Sequence, residues 1–356
     1  MKIFMVIGTL NFGGAERVMA NLANYFSRKH EVKICTLFER EIVYELAKNI
    51  NVVQGVAEKG IFSTLINIRK EVQIFQPDIV VSFLTHVNII SILSILGLKI
   101  PIVVSERNDP NFEPAQLYRK ILRKIIFPLA NGFIFQTQEA KQYFSKRIQQ
   151  KAEVIPNPVF VDDIPKNYNS KIKTKEFVAV GRLTEQKNYP IMLKAFKEVY
   201  KKYPEYKLII YGKGEEEEKL KKMCIQEKIE SNVYFMGVVK NIHEKIVNSH
   251  TYIMASNNEG MPNALMEAMA LGICCISTDC PCGGPRELIK NEKNGILVPV
   301  NNVELLAKNM IRTIEEENLT KIIRNNAKKI REIYSLEEIG KKWEIFLKRV
   351  VNNFEL

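Results

Sequence analysis

Short apolar runs recur along this chain with helical stretches between them, and the alternation stops once and then restarts. Strands are expected at 3–7, 32–38, 79–83, 102–105 and 133–136, with a helix over 13–27. Short apolar runs separated by helices fit a parallel sheet, because crossover helices cover both of its faces. After Pro156-Asn157-Pro158 the polar passage 161–176 reads as an interdomain linker. Further strands are then expected at 177–180, 208–211, 233–236, 252–255, 275–277 and 296–298. In a chain of 356 residues this restart argues for two Rossmann-like domains, 1–160 and 161–335, rather than one long sheet. A terminal helix over 336–350, with the only tryptophan, Trp343, belongs to a last segment, 336–356. Open parallel sheets bind ligands outside the carboxyl ends of their strands. Two such sheets are expected to face a cleft from those edges.

One loop of that kind holds Glu259 and Glu267, eight positions apart. Glu259 follows the strand expected at 252–255, and Glu267 falls in the first turns of the next helix. Between them Gly260, Met261, Pro262, Asn263 and Ala264 can present backbone N–H groups at a helix N-terminus. Carboxylates suit hydroxyls and amides suit a phosphate, and a nucleotide sugar has both. A second constellation stands about seventy residues earlier, where the strand at 177–180 ends in Gly181, followed by Arg182 and Lys187. Glycine allows close backbone approach, arginine binds phosphate bidentately, and lysine binds it as a point charge. Both loops would open on the same edge of one parallel sheet.

These residues resemble the donor site of retaining GT-B glycosyltransferases of family 4. Gly181-Arg182-Leu183 with Lys187 and the Glu259/Glu267 pair carry the likeness. It extends to Gly8 through Gly13-Gly14-Ala15-Glu16-Arg17, to Ile155-Pro156-Asn157-Pro158, and to Ser277 through Gly283-Gly284-Pro285-Arg286-Glu287. The likeness runs nearly end to end, with its motifs in order. Nearest are bacterial enzymes that extend capsule, O-antigen or lipid-linked oligosaccharides. The resemblance implies a hexosyl- or N-acetylhexosaminyltransferase using a nucleotide-sugar donor of the UDP class. It also implies a glycan acceptor linked to a polyprenyl diphosphate. In that scheme Glu267 binds the ribose hydroxyls and Glu259 a hydroxyl of the transferred sugar, while the terminal helix crosses back to the first domain.

Retaining transfer needs stabilisation of the departing diphosphate above all. Arg182 and Lys187 would meet that charge, with backbone amides near Gly13 and Gly14 approaching from the first domain. No covalent nucleophile stands out, and the resemblance implies same-face substitution, in which the donor phosphate oxygen takes the acceptor proton. No Asp-x-Asp pair stands at a suitable strand end, so neither metal nor cofactor is expected. From the first domain come His86, after the strand at 79–83, and Glu106-Arg107, after the strand at 102–105. Many family relatives carry histidine where this chain has Glu106 or Arg107. The departure leaves the sugar-facing residue open, with three candidates on this wall: His86 as a catalytic residue or a satisfied polar one, Glu106 contacting the acceptor hydroxyl, and Arg107 contacting an acceptor phosphate.

The net charge of +12 favours acidic partners such as phosphates, anionic lipid or nucleic acid. Nucleic acid lacks support, since neither a recognisable motif nor a run of stacking aromatics occurs. Arg119, Lys120, Arg123 and Lys124 recur at helical spacing against Leu117, Ile121, Leu122 and Ile125. Such a helix can lie on an anionic membrane or pack its apolar side in a core. A protein on the cytoplasmic face of the cell membrane is expected. The chain opens directly into a strand with no signal peptide, and the apolar run 87–97 is too short to span a bilayer. Six cysteines without metal or redox spacing read as reduced structural thiols. Competing readings are a nicotinamide-dependent oxidoreductase, although Gly8-x4-Gly13-Gly14 is not Gly-x-Gly-x-x-Gly, and an epimerase or phosphorylase on the same fold.

Overall fold

The computed structural model describes residues 1–57, 60–161, 164 and 174–355. Most of the expected linker, residues 162–163 and 165–173, lies outside the described residues. The chain divides into two compact units. Unit 1 is Met1–Pro158 with Leu336–Leu356, and unit 2 is Val159–Ser335.

Unit 1 holds seven strands: β1 (Lys2–Ile7), β2 (Glu31–Thr36), β3 (Asn51–Val53), β4 (Ile79–Phe83), β5 (Ile102–Ser105), β6 (Gly132–Phe135) and β7 (Ala152–Val154). They pair in the order β3-β2-β1-β4-β5-β6-β7, all parallel. The central strands are largely apolar because helices cover both faces; β4 and β5 are buried at every residue, Ser82 and Ser105 included. The helix Thr85–Ile95 is mostly buried, with Asn88, Ser91 and Ser94 buried among its apolar residues, which accounts for the run too short to span a bilayer. The helix Leu336–Glu355 packs on unit 1. Its Trp343 is fully buried, with ring centroid 5.6 Å from that of Phe83. Gly340 lets this helix lie against Tyr25, whose ring would stand 2.6 Å from a Cβ at that position.

Unit 2 holds six strands: β8 (Glu176–Val180), β9 (Lys207–Tyr211), β10 (Val233–Gly237), β11 (Thr251–Met254), β12 (Cys274–Thr278) and β13 (Ile296–Val298). Their order is β10-β9-β8-β11-β12-β13, again all parallel. One face of this sheet packs on Leu193, Phe196 and Met310, the other on Leu265, Met269 and Ile330. In each unit the order reverses beside the first strand, at β1/β4 and at β8/β11. Chain connections leave those neighbours in opposite directions, which opens a crevice at their carboxyl ends.

Candidate active site

At the carboxyl end of β8 and β11 Lys187 and Glu259 of unit 2 meet. Gly181 and Arg182 leave β8, and a turn at Glu185–Lys187 leads into the helix Tyr189–Lys202. Ser256 and Glu259 leave β11. Lys187 Nζ donates to Glu259 Oε1, and Ser256 Oγ donates to the same oxygen at 2.7 Å. Both charged side chains are largely buried, at 19% exposure for Lys187 and 10% for Glu259. Backbone and amide bonds tie the two loops together. Asn257 N donates to Gln186 O at 2.8 Å, and Gln186 Nε2 donates to Asn258 O at 2.9 Å. The pair is thus set in a bonded frame rather than carried on free side chains. Arg182 is exposed, and among the described residues its guanidinium has no ion-pair partner.

Gly181 is crowded from two sides. Tyr189 Oη donates to its carbonyl at 3.2 Å, and a Cβ at Gly212 would overlap that carbonyl. Gly212 sits at φ +141, so both its backbone and the space require glycine. Sequence reasoning missed Gly212, because its necessity comes from a carbonyl thirty-one positions away.

Glu267 lies in the helix Asn263–Ala270, which Pro262 precedes. The first turn of a helix has N–H groups without intrahelical acceptors, and here that turn includes Asn263 and Ala264. Gly260, Asn263 and Ala264 are half-buried, whereas Met261 is in the unit 2 core. The second glutamate is 8% exposed, and His243 Nε2 stands 3.1 Å from its Oε2. His243 was not foreseen, since one histidine at that distance along the chain has no pattern. Cys280 and Cys282 are in no disulfide and are buried beside this loop. Burial, with Glu259 adding, pushes the Cys280 thiol up to about 12, so it stays neutral.

In unit 1 the residues at β1/β4 are different in kind. A Cβ at Gly8, after β1, would lie 3.8 Å from His86 Nε2, after β4. Leu84, just before, has φ 77, a backbone conformation that costs a leucine on the order of 1–3 kcal/mol. It caps the helix that carries His86. Burial, then the nearby Arg119 charge, lowers the His86 pKa, so the imidazole is neutral at neutral pH. Gly13 starts the helix Gly14–Phe26, and Tyr44 brackets it, accepting from Gly13 N at 3.0 Å and donating to Gly13 O at 2.9 Å.

Three expected contacts take other places. Glu106 is 4% exposed. Its Oε2 accepts from Thr85 Oγ1 at 2.7 Å, and its Oε1 is buried without a partner. Burial raises its pKa to about 7, against the opposing effect of Arg123. Arg107 is 7% exposed, with its guanidinium carbon 4.0 Å from the centroid of the Phe83 ring and 5.4 Å from that of Trp343. Its Nη1 donates to Asn157 Oδ1 at 2.8 Å, while Nε and Nη2 are inaccessible. The rings of Phe83 and Trp343 pack on Arg107 and the Thr85 hydroxyl binds Glu106, so both groups are buried within unit 1. Arg123, expected on the membrane face, is 3% exposed. It donates to Glu113 O at 2.7 Å, and to Pro110 O and Tyr143 Oη at 2.9 Å each. The rest of that helix, Leu117–Ile126, has its apolar side outward: Leu117, Tyr118, Ile121 and Ile125 are each more than half exposed, beside Arg119, Lys120 and Lys124. No helix among the described residues is long and apolar enough to cross a membrane.

Comparison with known proteins agrees with this fold. A family model described as Glycosyltransferase Family 4 matches residues 12–163, and one described as Glycosyl transferases group 1 matches residues 160–330. The chain is 30% identical to the GalNAc-alpha-(1->4)-GalNAc-alpha-(1->3)-diNAcBac-PP-undecaprenol alpha-1,4-N-acetyl-D-galactosaminyltransferase of Campylobacter jejuni, over 99% of each chain. It is 27% identical to the amylovoran biosynthesis glycosyltransferase AmsD of Erwinia amylovora, over 97% of this chain and 99% of that one. Among solved structures, HepE of Anabaena in complex with UDP matches with a TM-score of 0.82 at 18% identity, over 98% of this chain and all of that one, a likeness of fold.

Proposed function

The chain belongs to glycosyltransferase family 4 and has the GT-B fold, and on that premise we propose that it moves a hexose or N-acetylhexosamine from a UDP-sugar to a lipid-linked glycan, with retention of configuration. The observation that carries the reading is the buried Lys187–Glu259 pair at the β8/β11 crevice, with exposed Arg182 beside it. A cation and a carboxylate side by side suit a ligand with both diphosphate and hydroxyls. Lys187 and Arg182 meet the charge that grows on the departing diphosphate. Glu259 takes a hydroxyl of the transferred sugar, and Glu267 those of the ribose. N–H groups from Gly260 to Ala264 approach the donor through main chain alone.

In the reaction the bond from the anomeric carbon to the phosphate oxygen breaks. The acceptor oxygen bonds to the same face, and its proton passes to the departing phosphate oxygen. From unit 1 we assign a reactant contact to His86, which is neutral and lies beside Gly8. The Campylobacter relative is named for an undecaprenol-linked acceptor, the Erwinia relative for amylovoran biosynthesis, and HepE was solved with UDP. These names support a glycan on a polyprenyl diphosphate and a role in cell-surface polysaccharide or glycoconjugate assembly. The outward apolar and basic face of the helix Leu117–Ile126 supports residence on the inner face of the membrane.

Family membership removes the oxidoreductase reading. The epimerase and phosphorylase readings are separated by product. Radiolabelled nucleotide sugars are supplied with native membrane lipid extract in chelator, and the product is assigned by proton NMR. An α-linked glycolipid from an α-linked donor is expected without divalent metal. A β linkage, a free epimerised sugar, or activity that only metal restores would refute the corresponding part.

A further inference from the structure

Glu267 is held by a residue outside the donor loops. His243 lies in the short helix Ile242–Ile246 after β10, and Asn241, at φ 54, turns the chain into that helix. The His243 ring is buried, with Nε2 3.1 Å from Glu267 Oε2. A carboxylate only accepts, so Nε2 carries the proton and donates. The two side chains come from different elements and meet where both are more than nine-tenths buried. A glutamate has three side-chain torsions to fix before its lone pairs have a direction. A charge-assisted bond from a rigid, buried ring fixes them.

We infer that His243 is a positioning residue for donor binding: by holding Glu267 Oε2 it aims the carboxylate at the ribose hydroxyls of the nucleoside diphosphate. The inference rests on the ribose role proposed above for Glu267. A merely structural His243 would fill space between Ile246 and the helix Asn263–Ala270, and a phenylalanine of similar size would serve as well. A positioning role confines the loss to ligands that have ribose hydroxyls.

The test is calorimetry with UDP and with its 2′,3′-dideoxyribose counterpart, alongside thermal melts. His243→Phe is expected to bind UDP about tenfold more weakly, the scale of one charge-assisted hydrogen bond partly lost, while its affinity for the dideoxy compound matches wild type. His243→Gln, whose amide can still donate to Oε2, should recover most of the difference. If His243→Phe does not fold, His243→Asn, too short to reach Oε2, takes its place. Equal losses toward both ligands, or wild-type UDP affinity in the folded variant, overturn the inference. Glu267→Gln separates the two layers. Unchanged UDP affinity there removes the ribose role itself, whereas a loss there with none at His243 removes only the positioning.

Discussion

Replacing Gly284 by alanine tests whether the donor loop depends on a contact with no side chain in it. Gly284 begins the short helix Gly284–Leu288 and lies against the loop after Glu259. A Cβ there would overlap the carbonyl oxygen of Gly260 and stand 2.9 Å from both its carbonyl carbon and Pro262 Cδ, where ordinary contact begins at 3.4 Å. Gly260 and Pro262 are main chain and ring, so neither can swing aside as a flexible side chain would. The residue is helical, and alanine in a helix normally gains up to about 1 kcal/mol over glycine. Overpacking a filled site costs about 1–3 kcal/mol. The net loss of stability is therefore on the order of 0–3 kcal/mol, which a domain survives. Relief comes by moving the segment from Gly260 to Pro262 by roughly 1 Å, and a misplacement of that size can cost about 100-fold in rate. Gly284→Ala should keep a cooperative melt within a few degrees of wild type, with turnover down about 100-fold and UDP binding weakened. Wild-type turnover and UDP affinity in the folded variant would show that this contact does not set the donor loop.

Arg182→Ala and Lys187→Ala should each lower turnover by about 10²–10³ with little change in melting, and near-normal turnover of both folded variants would remove them from the site. The Glu106 carboxyl, raised from 4.5 to about 7 by burial, binds its proton more tightly folded than unfolded. Its contribution is therefore complete below about pH 4.5 and is lost as pH rises through about 7, by roughly 3 kcal/mol. Urea midpoints from pH 5 to 8 should fall more steeply for wild type than for Glu106→Gln, and parallel curves would contradict the burial argument. Wild type should float with anionic liposomes at low salt and less at high salt. Changing Arg119, Lys120 and Lys124 to Gln should weaken flotation by about 1 kcal/mol per residue, whereas Arg123→Gln should instead lower the melting temperature. Salt-independent flotation, or none, would end the membrane assignment.

Most of the apolar strands were legible because each is a run of four to six residues that a parallel sheet must bury on both sides, and the three-residue β13 was legible because Ile296 and Val298 are buried apolar residues. Strands β3 and β7 were not, since Asn51–Val53 and Ala152–Val154 are three residues long, lie at sheet edges and are at most half-buried. Gly181, Arg182, Lys187, Glu259 and Glu267 could be named from spacing, because a strand end followed by a helix start places them on one edge whatever the side chains do. Their bonding could not be named. That Lys187 pairs with Glu259 depends on loops seventy-two positions apart being stitched by Gln186 and Asn257. The helix Leu117–Ile126 shows the limit of amphipathic reading. Its pattern says that one side is basic and one apolar, but not which side turns inward. Here the carbonyls of Pro110 and Glu113 and the hydroxyl of Tyr143 require a donor, Arg123 supplies it, and the apolar side turns out. Arg107 eluded the sequence for a related reason: a strand-end arginine reads as a ligand contact until the rings of Phe83 and Trp343 are seen against it.

The two units repeat one strand order and differ in where they keep their charge. Unit 1 buries its ionisable groups near the strand ends: Glu106 with Thr85 and Arg123, and Arg107 against aromatic rings. At its β1/β4 crevice it presents a glycine loop and a histidine whose charged form burial disfavours. Unit 2 does the reverse at β8/β11, holding Lys187 and Glu259 at the crevice in bonds to Ser256 and to each other. A charge fixed before the reaction needs little reorganisation when the diphosphate departs, and that is where electrostatic stabilisation is most effective. A frame of that kind is rigid only if its supports are dry and satisfied, which explains why the residues behind it are buried: Tyr189 on Gly181, His243 on Glu267, and Gly284 against Gly260. Substitutions of those supports should therefore change affinity and rate before they change the fold, whereas substitutions of Glu106, Arg107 or Arg123 should change the fold first.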